Sequence, residues 1–498
     1  MLLEAMVQAL QNFLTVELWL VIGLGMVIGL VFGLIPGVGG MLALAITLPF
    51  VFKMTPEQAL PLMMSILAIQ FMGGAITSIL LNLPGTAGSI ATLFDGFPMS
   101  QKGEAGRALG ASLTASGLAN ILTAILALAM VFLILPLVMA FRSADMVFVM
   151  LLGITFIGVL GSGSMIKGLI SGGMGLLISL IGYQATTGVP RLTFGSLYLY
   201  DGIAMVPFFL GVFAVPEMIA LATRGGSISQ SKVVIKGMQD VLRGVRDVFR
   251  HWKLVIRSEI IGFTIGSIPG LGASAATFIA YGEAKRTSKH PERYGTGIVE
   301  GVIAPESANN ACESGALLTT LALGIPGSAV MAILMGAMLM LGITPGPEML
   351  TKHLDLSLTL IWIIAVTGVI GAAICIPLAS RLSRLAFVPA DILVPLVVVI
   401  LFVGSFSSNE VFGSIITFLI FGAVGLIMRR YGYNRPALAL GFILGLLFER
   451  YFFIALKVAG PLFFMRPISL IIISVIIAFL IYRPVKKLIQ QRRGVKKA

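Results

Sequence analysis

The sequence predicts an all-α polytopic membrane protein of about 11–12 transmembrane helices plus re-entrant hairpins, in two inverted structural repeats whose helices are broken at Pro-Gly steps. Three observations predict it. First, hydrophobic residues make up 58% of the 498 and charged residues only 11%, with a mean hydropathy of +1.03; a soluble chain carries charges at about a quarter of its positions. Second, two phrases are written twice. GLIPGVGG (Gly33 to Gly40) matches GSIPGLGA (Gly266 to Ala273), and GGAITSILLNLPGTA (Gly73 to Ala87) matches GALLTTLALGIPGSA (Gly315 to Ala329) without a gap. Pro269 lies 233 residues after Pro36, and Pro326 lies 242 after Pro84, so the second half carries nine extra residues between its breaks. Third, Lys and Arg gather in three places: eight over Arg224 to Arg257, four over Lys285 to Arg293 and seven from Arg483 onward. The positive-inside rule makes all three cytoplasmic.

The elements follow in order. The segment 18–51 around the first break has no strongly basic flank and reads as a hairpin opening from the periplasm. Five spans come next, at roughly 60–95, 108–140, 146–162, 165–184 and 203–222. The segment 258–283, bracketed by two basic regions, enters and leaves on the cytoplasmic side as a second hairpin, of opposite orientation to the first. Six spans follow it, at 298–343, 356–382, 388–404, 411–428, 436–456 and 467–482. The stretches 60–95, 108–140 and 298–343 exceed one straight span and are read as broken helices or further hairpins. The chain therefore divides into a first membrane repeat (1–223), a basic cytoplasmic linker (224–257), a second repeat (258–456), and an extra helix with a basic tail (457–498). The linker is either an amphipathic helix on the leaflet or a solvated segment. The tail reads as a topological anchor, with a lipid or partner site as the alternative.

Charge and cysteine content narrow the function. The net charge of +13 sits in short loops and a tail beside apolar runs, which orients a protein in a bilayer and implies no nucleic-acid partner. Cys312 and Cys375 lie in apolar segments and His251, His290 and His353 stand far apart, so no disulfide, metal site or cofactor is expected beyond a coupling cation. The N-terminus carries Glu4 and no basic region, unlike a cleaved signal peptide.

At the breaks, Pro removes an N–H and Gly permits conformations closed to other residues. The freed backbone groups must find protein, water or ligand. A half-helix start offers N–H groups and a positive dipole end to an anion. The candidate substrate residues are therefore Pro36, Gly37, Gly39, Thr77, Asn82, Pro84, Gly85 and Thr86 in the first half. Pro269, Gly270, Gly272, Ser274, Thr319, Pro326, Gly327 and Ser328 are their counterparts in the second. Close helix packing is the alternative role for each Ser and Thr. The most polar membrane stretch, Ile303 to Thr320, holds Glu306, Ser307, Asn309, Asn310, Glu313 and Ser314 where the first half, at Leu67 to Thr77, has LAIQFMGGAIT with only Gln70 and the closing threonine. Ionisable groups at membrane depth mark functional pathways. Glu313, with Asn309, Asn310 and Ser314, is the first choice for a coupling-ion site for Na⁺ or H⁺, and Asp95 the second. Pairing of Glu306 and Glu313 with Lys or Arg at an aqueous edge is the other reading.

At these motifs the chain resembles the large membrane subunit of tripartite tricarboxylate transporters, the TctA-like family. The resemblance rests on GLIPGVGG, on NLPGTAGSIATLFDGFPMSQKGEAGRALG (Asn82 to Gly110), on GSIPGLGASAATFIAYGEAKR (Gly266 to Arg286) and on APESANNA (Ala304 to Ala311). It implies a multi-pass protein of the bacterial inner membrane, with a cytoplasmic C-terminus. It also implies a small four-helix membrane subunit and a periplasmic solute-binding protein as partners. Uptake of a di- or tricarboxylate such as citrate would be driven by a cation gradient. Two other readings compete with a transporter subunit. An intramembrane enzyme would need HExxH, GxSxG or an embedded histidine, none of which the sequence contains. A channel or scaffold subunit would have no need of duplicated breaks.

Overall fold

The computed structural model describes residues 2–35, 39–160, 164–184, 187–224, 237–385 and 390–495. The first half comprises α1 (Leu2–Asn12), α2 (Val16–Leu34), α3 (Gly39–Val51), α4 (Pro56–Leu81), a 3-10 turn (Ala87–Ile90), α5 (Leu93–Gln101) and α6 (Ala105–Ala140). It continues with α7 (Ser143–Leu160), α8 (Met165–Ser179), α9 (Met205–Phe209) and, through a π turn, α10 (Val215–Arg224). The second half comprises α11 (Met238–Arg250), α12 (Trp252–Gly266), α13 (Gly272–Thr287), α14 (Glu300–Leu323), α15 (Ala329–Met340) and α16 (Pro347–Thr351). Then come α17 (Leu354–Leu385), α18 (Ala390–Ser407), α19 (Phe412–Tyr431), α20 (Arg435–Ala459) and α21 (Pro467–Val495). Among the described residues the only strands are the two-residue pair Gly182–Tyr183 and Pro190–Arg191. The chain is an all-α polytopic membrane protein.

The core is organised by glycine seats. With no hydrophobic drive between helices in lipid, close approach needs small residues. On α2, Gly29 and Gly33 are set so tightly on α4 that a Cβ would stand 2.4 Å from the Ile66 carbonyl and 2.3 Å from that of Gln70. On α12, Gly262 and Gly266 sit likewise on α14, 2.3 Å from the Ala308 carbonyl and 1.9 Å from that of Cys312. Positions at the same offsets from the duplicated phrases thus make the same contact in each half. The breaks also match. α4 ends on Asn82 (φ 55°, ψ 30°) and α14 on Gly324 (φ 66°, ψ 26°), left-handed caps that stop each helix two residues before its Pro-Gly.

Seven helical stretches among the described residues are long and apolar enough to cross a bilayer: α2, α4, α6, α9–α10, α17, α19 and α20. Shorter apolar helices include α3, α7, α8, α15, α18 and the first part of α21. α14 is buried along its length as α4 is, and only its polar stripe keeps it out of that set. The stretch expected at 60–95 is α4 followed by a separate α5 that runs on to Gln101, and 298–343 is α14 followed by α15. By contrast 108–140 lies within one unbroken helix of 36 residues, α6, whose C-terminal turns are largely exposed. The segment expected at 258–283 lies within α12, which starts at Trp252, and α13, which ends at Thr287. The described part of the linker is neither free nor laid on lipid alone. α11 docks on α6, where Gly110 and Gly244 each bring a Cβ position within 2.0 Å of a facing carbonyl and Arg107 pairs with Asp247 at 2.6 Å.

Candidate functional site

Pro84 and Gly85 of the first break, Gly327 of the second, Gly39 to Met41 and Gly270 to Ser274 converge on one cavity of about 420 Å³, within the range of small-molecule sites. The packing that brings them together is again duplicated. A Cβ on Gly85 would lie 2.7 Å from the Gly33 carbonyl, and one on Gly327 would lie 2.7 Å from the Gly266 carbonyl. The Gly270 N–H donates to the Gly327 carbonyl at 3.4 Å. Gly270 (φ 90°) and Gly272 (φ 69°) take left-handed backbone that turns the tip into α13. Across the cavity the halves touch, because the Ser274 hydroxyl donates to the Ala87 carbonyl at 2.9 Å.

The first residues of four α-helices line this space: Gly39 of α3, Gly272 to Ser274 of α13, Ala329 with its cap Ser328 of α15, and Pro436 with the cap Asn434 of α20. The 3-10 turn begins there too, with Thr86 to Gly88 on the wall. Helix starts leave N–H groups unused and carry a positive partial charge, so the wall is suited to an anion. The opposing chemistry comes from α14. Glu313, 7% exposed, faces the cavity and accepts a hydrogen bond from Ser328 at 3.0 Å. One turn earlier, Asn309 is fully buried against Gly88, and neither atom of its amide has a hydrogen-bond partner. An orphaned buried amide beside a cavity wall calls for a polar ligand or water.

The rest of the α14 stripe faces α6. Asn310 donates to Asn120 at 3.2 Å, Ser314 and Thr123 share a hydrogen bond at 2.8 Å, and Glu306 accepts from Ser116 at 3.3 Å. At the cavity's edge, Glu217 of α10 is bound by Arg435 at 2.9 Å and Arg429 at 3.2 Å. Its reciprocal stands at a second cavity of about 730 Å³, where Glu449 of α20 is bound by Arg191 at 2.7 Å. In each case a carboxylate on a long helical run of one half, α10 or α20, is held by arginine from the other half.

The profile of the tripartite tricarboxylate transporter TctA family matches residues 19–440. The chain belongs to that family. Its sequence is 32% identical over 427 residues to an Agrobacterium vitis protein described as "Uncharacterized 52.8 kDa protein in TAR-I ttuC' 3'region", covering 86% of this chain and 84% of the relative. A second Agrobacterium vitis protein, "Uncharacterized protein in TAR-II ttuC' 3'region", is 34% identical over 190 residues, 38% of this chain and 78% of the relative. No solved structure matches.

In this TctA-family chain the cavity gathers Gly39, Pro84, Gly85, Thr86, Gly270, Gly272, Ser274, Gly327, Ser328 and Glu313 from the sequence-based candidates. Pro36 and Gly37 lie outside the described residues. Thr77 sits behind Gly85 and donates to the Gly74 carbonyl, Asn82 caps α4, and Thr319 donates to its own helix backbone. Pro269 and Pro326 shape the turns without lining the cavity, and Asn310 and Ser314 belong to the α6 seam. Asp95 is elsewhere. Fully buried, it accepts from Tyr281 at 2.8 Å and from the N–H groups of Gly295, Gly297 and Ile298 at 2.9, 2.7 and 3.0 Å. It fastens the loop that leads into α14. Sequence reasoning missed Gln70 as a wall residue, and also Asn434 and Glu217. Glu217 had a signal, as a lone carboxylate within the apolar run Met205 to Thr223.

Proposed function

We propose that this large subunit of a tripartite tricarboxylate transporter imports a di- or tricarboxylate across the bacterial inner membrane. The subunit works by alternating access, with a Na⁺ or H⁺ gradient as the driving force. One observation carries the reading: the starts of α3, α13 and α15 line a single cavity, which supplies an anion with N–H donors and positive dipole ends at membrane depth. A periplasmic binding protein delivers the substrate and a small four-helix subunit completes the membrane unit. The C-terminus is cytoplasmic. Import of an anion against a negative interior costs about 2.3 kcal/mol per net charge at 100 mV, so cations must accompany it. Glu313, on the wall with Ser328 and the orphaned Asn309 beside it, offers oxygen ligands to that cation.

The test is uptake of labelled citrate and other carboxylates into proteoliposomes holding the three components, with imposed Na⁺ or pH gradients. The wild type accumulates substrate only when the binding protein and a gradient are present. Glu313→Gln keeps the fold and the binding protein's affinity and loses gradient-driven accumulation. Unchanged ion dependence in that variant places coupling elsewhere. Full-rate uptake by the purified chain alone contradicts the tripartite assignment.

A further inference from the structure

Two helical turns from Glu313 toward the start of α14, about 10.5 Å along the axis, stands a second carboxylate that the cavity does not reach. Glu306 has no exposed surface. Two elements enclose it. From the segment after the first break, Thr92 donates to Oε1; from α6, Ser116 donates to Oε2 at 3.3 Å; and Ser112, one turn before Ser116, faces the same carboxylate. Thr92, Ser112 and Ser116 are themselves fully buried. Among the described residues no Lys, Arg or His pairs with Glu306. The titratable groups on the surrounding elements are Arg107 on α6, bound to Asp247 and Glu104; Glu300, Cys312 and Glu313 on α14; Lys253, Arg257 and Glu259 on α12; Asp95 on α5; and Tyr281, Glu283, Lys285 and Arg286 on α13, with Asp95 bonded to Tyr281 and Arg257 to Glu283.

A buried carboxylate without a cation is costly as an anion and far cheaper as an acid. The shell around Glu306 suits both states. Hydroxyls donate to a carboxylate and, by rotating, accept from a carboxylic acid. The Ser112 hydroxyl has no hydrogen-bond partner, so it is free to receive the O–H that protonation creates. Thr92 and Ser116 are close enough to hydrogen-bond the carboxylate directly, which fits a proton better than a larger ion. Thr92 also lies four residues beyond Gly88, which lines the cavity, with only the short 3-10 turn between. Thr92 therefore ties Glu306 to the stretch of chain that forms the cavity wall.

We propose that Glu306 is a protonation site, separate from the substrate cavity, that takes up and releases the proton accompanying the substrate and transmits its charge state through Thr92 to the wall formed by Thr86 to Gly88. The proton comes from water on one side and leaves to water on the other, and no other bond changes. This rests on the transport reading above.

The test uses the complete three-component system in proteoliposomes, with labelled citrate and a pH-sensitive dye in the lumen. Glu306→Gln, close in shape and permanently neutral, exchanges labelled for unlabelled substrate as the wild type does. Its accumulation under a pH gradient falls to the level seen without one, and substrate-linked proton entry disappears. Glu306→Asp, shorter but ionisable, retains gradient-driven accumulation. A merely structural carboxylate would be replaced by Gln without loss, so pH-driven accumulation by Glu306→Gln overturns the proposal. A wild type that responds to a Na⁺ gradient and ignores a pH gradient overturns it too. A wild type that neither exchanges nor accumulates any di- or tricarboxylate defeats the transport reading instead. Infrared titration of the detergent-purified protein then still decides Glu306, by whether the wild type shows a protonated-carboxyl band that Glu306→Gln lacks. If the Gln variant does not fold, Ser112→Ala serves: it displaces the pH dependence of accumulation by about half a unit or more, and an unmoved profile counts against the site.

Discussion

The α14–α6 seam of the second half and the α4–α17 seam of the first are built on helices that carry the same repeated sequence phrase, and they are made of opposite materials. Along α14 stand Glu306, Asn309, Asn310, Glu313 and Ser314; at the positions 242 residues earlier α4 has Met64, Leu67, Ala68, Phe71 and Met72. The polar stripe meets Ser116, Asn120 and Thr123, whereas Met72 and Ile69 meet the bare backbone of Gly371 on α17. Both halves keep the left-handed cap, the Pro-Gly and the glycine seats. The shared features therefore answer to architecture, and the features present once answer to chemistry. A fold that stands on apolar packing at α4 does not need carboxylates and amides at α14, where burying them is expensive.

The comparison is broken most completely if the halves do not run in opposite directions. Single cysteines at Thr55 and at Ser288, in a background lacking Cys312 and Cys375, are expected to react with impermeant reagents from opposite faces of the membrane. Labelling from one face removes the inversion. Next in size is the equality of the two breaks. Valine at Gly85 or Gly327 forces a Cβ to within 2.4 Å of Gly74 Cα or 2.5 Å of Ala316 Cα, so both variants lose transport while inserting into the membrane. A break that tolerates valine has no part in the cycle.

The glycine seats sharpen the comparison in energy. Gly33→Ala and Gly266→Ala each overpack a helix contact, at a cost of about 1–3 kcal/mol. Both lower the midpoint of thermal unfolding in detergent by a few degrees, and a neutral result in one half alone shows that its seat has room. The smallest effect distinguishes the rims. Where the first half joins α4 to α2 by a hydrogen bond from Gln58 to Glu17, the second has His251 and Glu300, 3.4 Å apart. The hydrogen bond to Glu300 raises the His251 pKa above its ordinary 6.5. A raised folded-state value means that this stabilisation is complete below pH 6.5 and fades as pH rises through the folded-state value. Because both groups are about a quarter exposed, the effect is about 0.5 kcal/mol. Glu300→Gln therefore lowers the unfolding midpoint slightly at pH 6 and not above the folded-state pKa of His251, while Gln58→Ala shows no such pH dependence.

The sequence by itself determined the membrane class, the duplication, the position of each break and the stripe on α14. These are local properties: a missing N–H at Pro, a permitted left-handed turn at Gly or Asn, and polar residues at helical spacing are visible in a few adjacent residues. Only the tertiary structure decided what the stripe touches. Thr92 is 214 residues from Glu306 and Ser116 is 190, and Thr123 is 191 from Ser314. A serine in an apolar helix has the same local signature whether it eases packing or donates to a carboxylate across the interface. The same holds for carboxylates: Asp95 and Glu313 look alike in sequence, yet one is saturated by four donors in a loop joint and the other faces a cavity with a single hydroxyl partner. Ionisable side chains draw their role from the donors and space around them, and those are set by which helices the glycine seats allow to meet.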